Sequence, residues 1–226
     1  EGGVIQNAIN MPSVDSKTLK ALSPYLHLGE NLGNFLQQIT PDQVNKIKIT
    51  YFGKIVDLDA NPLTRSILQG YLKNISGESV NSVNAPTLMK QLGIENEVVK
   101  SSEESDFNEL ITLEATGSNG ETYSVQGTVI GKTGIPRIVH INGRDVEASP
   151  EGVMLVLENQ DVPGIVGMLG TILGKSGVNI ASMSLSRNHV GGLALNIVNV
   201  DTAPGEAAFN EIQSNEHIKS ALVVSL

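Results

Sequence analysis

The sequence predicts an α+β chain folded as two consecutive units, and three observations carry that prediction. Apolar residues recur at helical spacing early in the first 148 positions, then alternate at strand spacing from about residue 97. The pattern starts afresh after the polar stretch Ala148-Ser149-Pro150-Glu151-Gly152, in the order β-α-β-β-α-β. A chain of 226 residues has room for two ordinary domains. The expected boundaries are 1–148 and 149–226.

In the first unit, residues 15–39 are expected to be helical, with Ser16 capping and Leu19, Leu22, Leu26, Leu32, Phe35, Leu36 and Ile39 on the buried side. Pro24 and Gly29 are expected to divide this stretch into two helices. Lys46–Gly53 alternates as a half-buried strand. Pro62–Ile75 and Ala85–Leu92 read as helices, the former with Pro in its first turn. Val98-Val99, Glu109–Ala115, Tyr123–Ile130 and Ile138–Ile141 read as strands of an antiparallel sheet. Asn119-Gly120 and Asn142-Gly143 mark tight turns, because Asn and Gly accept positive φ at low cost.

In the second unit, Val153–Leu157, Pro163–Ser176, Asn179–Arg187, Gly192–Val200, Gly205–Asn215 and Ile218–Val224 supply the six elements in turn. This order predicts a ferredoxin-like fold, two helices covering one face of a four-stranded sheet.

Composition excludes several functions. The formal charge of −9 divides into about −5 before residue 150 and −4 after it, so neither unit offers a basic face to nucleic acid. With no cysteine, disulfides, thiolate nucleophiles and Cys-held zinc or iron–sulfur centres are ruled out. No apolar run approaches the roughly 20 residues of a membrane helix, and the N-terminus lacks a signal pattern. A cytoplasmic protein is expected. The opening Glu1-Gly2-Gly3-Val4 suggests processing or a piece of a longer polypeptide. His27, His140, His189 and His217 are scattered without ligand spacing, and Glu103-Glu104-Ser105-Asp106 lacks the pattern of a calcium loop, so no metal site is expected. Ser16, Thr128 and Ser186 have no base placed beside them by any motif, so no catalytic residue is assigned.

The informative chemistry lies at Glu158-Asn159-Gln160-Asp161-Val162-Pro163-Gly164-Ile165-Val166. A strand ends here and a helix begins, read with Pro163 in its first turn, leaving backbone N–H groups without intrahelical partners. Those donors and the helix dipole favour a carboxylate, and Gly164 lets it approach closely. Asn159 and Asp161, beside the same mouth, can accept hydrogen bonds from an ammonium group. Together they suit an amino-acid zwitterion; taken alone, the string is better read as a capping Asp161 and a packing Gly164.

The string Asp161-Val162-Pro163-Gly164, then Leu169-Gly170-Thr171-Ile172-Leu173, then Gly177-Val178-Asn179-Ile180 resembles the ACT domain, a ligand-sensing module marked by Asp-x-Pro-Gly, an apolar helix and Gly-Val-Asn-Ile. Upstream, Pro136–Arg144 and Asn7-Ala8-Ile9-Asn10-Met11-Pro12 resemble long-type D-3-phosphoglycerate dehydrogenases. In those enzymes an intervening, allosteric substrate-binding domain and an ACT domain follow the catalytic domains. The resemblance spans essentially the whole chain and lacks the catalytic half, with no Gly-x-Gly-x-x-Gly after a strand. It therefore implies a regulatory segment without cofactor of its own, NAD belonging to the absent catalytic domains.

The resemblance further implies L-serine, or another small amino acid, as ligand. Asn159, Asp161 and the backbone of Pro163, Gly164 and Ile165 would hold it, and Asn179 would reach over from a neighbouring subunit, so at least a homodimer is implied. In serine-responsive relatives an aromatic or imidazole group often occupies the position of Asn159. For the intervening domain the resemblance implies phosphate or a phosphorylated substrate at a basic cluster matched by Arg137, with Lys132 and Arg144 as alternatives on reach; Ser149 and Asn199 stand where others can have arginine. The alternatives are the regulatory part of an L-serine dehydratase, disfavoured by the absence of cysteine, and a free-standing amino-acid sensor or assembly module.

Overall fold

A computed structural model describes residues 16–41 and 43–226, with side chains placed from residue 22 onward except that of Glu78. The Asn7–Pro12 stretch and the capping side chain of Ser16 lie outside the described part. The first unit begins with α1 (Ser16–Ile39), followed by β1 (Val44–Gly53), α2 (Asn61–Ser76), α3 (Ala85–Gln91) and β2 (Glu95–Lys100). Then come β3 (Glu109–Gly117), β4 (Thr122–Ile130), β5 (Ile135–Ile141) and β6 (Arg144–Ala148). They form one six-stranded sheet in the order β2-β1-β3-β4-β5-β6.

Helix α1 is continuous through Pro24, against the expected division at Pro24 and Gly29. Pro24 removes one N–H, but the packing of Leu22, Leu28, Leu32, Phe35, Leu36 and Ile39 outweighs that local loss. Gly29 is a contact residue instead of a breaker: a Cβ there would lie 2.7 Å from Leu63 Cδ1. Gly33 and Gly70 complete a close crossing of α1 and α2, where an added Cβ would fall on the Ile67 and Glu30 carbonyls. On its other side α1 lies over β4, where Gly127 makes room for Leu28 and Leu32.

The sheet is antiparallel except at β2, which pairs parallel with β1 after the α2–α3 crossover. Strand β6 is an element that the sequence reading passes over. It has five residues, of which only Val146 and Ala148 are buried, so its alternation is too short to register. The Asn142-Gly143 turn that leads into it has φ of 50° and 73°, the two-residue hairpin geometry expected from that dipeptide.

The second unit comprises β7 (Val153–Gln160), α4 (Ile165–Lys175), β8 (Ile180–Arg187), β9 (Leu193–Val200), α5 (Glu206–Gln213) and β10 (Ile218–Ser225). The sheet order is β10-β7-β9-β8, all antiparallel, which is the ferredoxin-like arrangement. One face carries Leu155, Leu157, Val198 and Val200 under α4 and α5. The alternate residues Met154, Val156, Leu195 and Ile197 belong to the core built around α1, so the opposite face rests on the first unit.

A row of amides on α1 fastens this junction. Asn31 Nδ2 donates to the buried Pro150 carbonyl at 2.7 Å. Gln38 both donates to Ser225 O at 2.8 Å and accepts from Ser225 N at 3.0 Å. Asn199 Nδ2 donates to Ser149 O at 2.9 Å, tying β9 to the link between the units. No described helix is long and apolar enough to cross a membrane.

Candidate functional site at the start of α4

The turn between β7 and α4 differs in one detail from the sequence reading. Pro163 does not sit in the first helical turn: α4 starts at Ile165, and Gly164 precedes it with φ 101° and ψ −18°. Val162-Pro163-Gly164-Ile165 thus has the signature of a type II turn, where Pro supplies the fixed φ and Gly the positive one. The Met168 N–H bonds to the Gly164 carbonyl at 2.8 Å. The amides of Ile165, Val166 and Gly167 therefore open the helix without i−4 partners, and a Cβ on Gly164 would meet nothing within 4 Å. The donors form an open anion-accepting end on an 11-residue helix.

The turn is anchored from both sides. Gln160 N donates to His217 O at 2.9 Å and Asp161 N donates to Gly192 O at 2.8 Å. Asp161 does not cap α4; its Oδ2 accepts from Gly191 N and from Arg187 Nη1, each at 3.1 Å. The Gly191 N–H chiefly, and Arg187 after it, hold this carboxyl below its usual range against the opposing effect of desolvation. An ionised carboxylate thus stands next to the donor-rich helix start, a pairing of signs that matches an ammonium and a carboxylate on one small molecule.

Asn159 is turned inward and is only 2% exposed. Its Nδ2 donates to Gln160 O at 2.7 Å, and its Oδ1 accepts from Asn196 Nδ2 at 2.6 Å. It forms floor beneath the turn, not rim. Ile165 is buried in the helix-side core. Asn179 lies elsewhere: it follows α4, is exposed, and donates through Nδ2 to Asp201 Oδ2 at 2.9 Å. Eleven helical residues span about 16 Å, so one chain does not bring Asn179 to the Asp161 turn.

In the first unit, Lys132 lies exposed in the β4–β5 turn, and Arg137 sits near the same end of β5. Arg137 donates to its neighbour's carbonyl, Pro136 O, and its Nε lies 3.7 Å from Glu147. Arg144 is at the other end, opposite Ile141, and pairs with Glu158 of β7 at 2.8 Å. The three basic residues do not converge; Arg144 joins the two units.

Arg187 and Asn196, which bond to Asp161 and Asn159, are residues of the candidate site's surroundings that the sequence does not single out. Asn196 had a signal, an amide in the otherwise apolar run Leu193–Val200. Arg187 had none, since its partner is 26 residues away.

Fold and site together define a two-part regulatory segment, an α+β domain followed by an ACT domain. The family profile of the D-3-phosphoglycerate dehydrogenase intervening domain matches residues 21–142, more than half of the chain, and that of the ACT domain matches residues 153–217. The D-3-phosphoglycerate dehydrogenase of Methanocaldococcus jannaschii is 32% identical over 225 residues, covering 100% of this chain and 42% of that protein. Those of Bacillus subtilis and Synechocystis are each 30% identical, covering 100% and 98% of this chain but 43% and 40% of the relatives. The chain belongs to the D-3-phosphoglycerate dehydrogenase family and corresponds to its C-terminal regulatory region. It spans about 42% of the length of its relatives.

Proposed function

We propose that this segment binds free L-serine at the Asp161–Ile165 turn, in a site shared by two copies, and thereby exerts feedback control on an NAD-dependent oxidation of 3-phosphoglycerate in the cytoplasm. The observation that carries the reading is the juxtaposition of an ionised Asp161 with the unpaired amides that begin α4. The ligand's ammonium goes to Asp161 and its carboxylate to the amides of the helix start.

The separation of Asn179 supports a shared site. Among the described strands β8 pairs with β9 alone, so it is a sheet edge. It begins just after Asn179 and ends at Arg187, which contacts Asp161. Two such edges paired antiparallel about a two-fold axis carry Asn179 of a second copy to the Asp161 end. There its amide can donate to the ligand's hydroxyl oxygen.

Calorimetric titration with L-serine tests this reading. Saturable heat is expected for a dimeric chain and loss of it in Asp161→Ala and Asn179→Ala. No heat with any amino acid from a confirmed dimer refutes the site, and equal affinity in a monomer refutes its sharing. For the intervening domain, Lys132 and Arg137 form the remaining candidate for phosphate or a phosphorylated substrate. The relatives favour the dehydrogenase over a dehydratase or a free-standing sensor.

A further inference from the structure

We infer that Asn196 is a specificity-determining residue of this site, reading a hydrogen-bond donor on the ligand's side chain and so selecting hydroxyl-bearing amino acids over alkyl ones. The inference rests on the amino-acid site proposed above and adds a residue that neither the motif nor the turn supplies.

Asn196 is fully buried, at 0% exposure, in the middle of β9. It pairs across the sheet with Leu157 on one side and Leu185 on the other. Its side chain shares the helix-covered face with Leu155, Leu157 and Val198, where a carboxamide displaces apolar packing and carries a desolvation cost. Its Nδ2 is satisfied, donating to Asn159 Oδ1. Its Oδ1 is buried and has no partner among the described residues. The amide orientation is fixed by its neighbour: Asn159 Nδ2 is committed to Gln160 O, so Asn159 presents only an acceptor, and Asn196 must answer with its donor.

That leaves an unmet acceptor on the helix-covered face of the sheet, on a side chain bonded to Asn159. Asn159 is the last buried residue of β7 before the Asp161–Gly164 turn, so the amide pair forms the floor on which the ligand would stand. The cover is thin on the far side, since Leu185, directly across from Asn196 on the β8 edge, is 45% exposed. An orphan acceptor is the feature that rewards a ligand donor and penalises a ligand without one. A serine hydroxyl has one proton and two lone pairs. It can donate to Asn196 Oδ1 while its oxygen accepts from Asn179 of the second copy.

The test compares L-serine with L-alanine by calorimetry on the chain and on Asn196→Leu. In the unaltered chain L-serine is expected to bind about ten- to a hundredfold more tightly, the range for leaving a buried acceptor unmet. In Asn196→Leu the ratio is expected to fall about tenfold, to what the Asn179 contact alone sustains, with alanine binding retained. Equal affinities in the unaltered chain, or a serine preference undiminished in the variant, overturn the inference while leaving the amino-acid site standing. Absence of binding by either compound overturns the site and the inference together. If Asn196→Leu does not fold, nuclear magnetic resonance of the unaltered chain decides. The Asn196 side-chain amide signals are expected to shift with L-serine, and unmoved signals at saturation refute the role.

Discussion

Replacing Gly33 by alanine attacks the crossing on which the first unit is built. A Cβ at that position would lie 2.1 Å from Ile67 O and 2.9 Å from Tyr71 N, both backbone atoms of α2 that no rotamer change can move aside. Ordinary contact begins near 3.4 Å, so the helices must part by about 1.3 Å. A radial gap of about 1 Å forfeits a quarter to a half of each dispersion contact across it. The contacts at stake are those that Leu63, Ile67 and Tyr71 of α2, all core residues, make across the Gly29–Gly33 face of α1. The expected cost is about 3 kcal/mol, at the upper end for overpacking. For a chain of this length that lowers Tm by about 6–12 °C. Thermal denaturation followed by circular dichroism measures it. Gly174→Ala on α4 is the control: a Cβ there meets nothing, so helix propensity alone should raise Tm by about 1–4 °C. A Gly33→Ala variant within 1 °C of the parent would refute the reasoning, since backbone cannot yield that far without loss.

Three further outcomes follow from the site and the junction. The folded-state pKa of Asp161 is depressed, so whatever it contributes to stability and binding is complete above the ordinary carboxylate range and lost only as pH falls through the lower folded value; L-serine affinity should be flat from pH 5 to 7, and a loss centred between those values contradicts the assignment. Asn31→Leu leaves the buried Pro150 carbonyl unmet, at about 2 kcal/mol, and should lower Tm by about 4–8 °C while speeding proteolysis between residues 148 and 152. Gly164→Ala forces a Cβ into φ 101° for about 1–2 kcal/mol of strain, and should weaken L-serine binding more than it lowers Tm.

The second unit was the more legible in sequence because its signals are local. Strands β7 and β9 are largely apolar runs, β8 alternates apolar with polar residues, and each break is marked by Gly, Asn or Pro, so the six elements are placed within a few residues. The division of α1 was misread because Pro24 and Gly29 have local meanings that long-range packing reverses; Gly29 faces Leu63, 34 positions on, which no periodicity displays. The parallel pairing of β2 depends on a crossover through two helices and is equally invisible locally. At the site, Asp161, Pro163 and Gly164 were legible because one turn imposes all three. That Pro163 stands before the helix follows from the positive φ that Gly164 adopts, a choice between two turn geometries that the same dipeptide permits.

The two faces of the second sheet give the proposed feedback a physical route. Strands β7 and β9 carry Asn159 and Asn196 on the helix-covered side, while Met154, Val156, Leu195 and Ile197 on the same strands pack into the core around α1. Ligand binding at the Asp161 turn can therefore act on the first unit through a sheet that α1 already holds, by Asn31 at the link and by Gln38 at the edge strand β10, and that Arg144 meets at Glu158. Coupling requires that L-serine bind one arrangement of these strands better than another, and the same difference must then change how firmly α1 is held. Loosening the grip with Gln38→Leu should thus alter L-serine affinity although Gln38 lies on a different unit from the pocket. An affinity identical to that of the parent chain, in a variant that remains folded and dimeric, would mean that the two units do not communicate by this path.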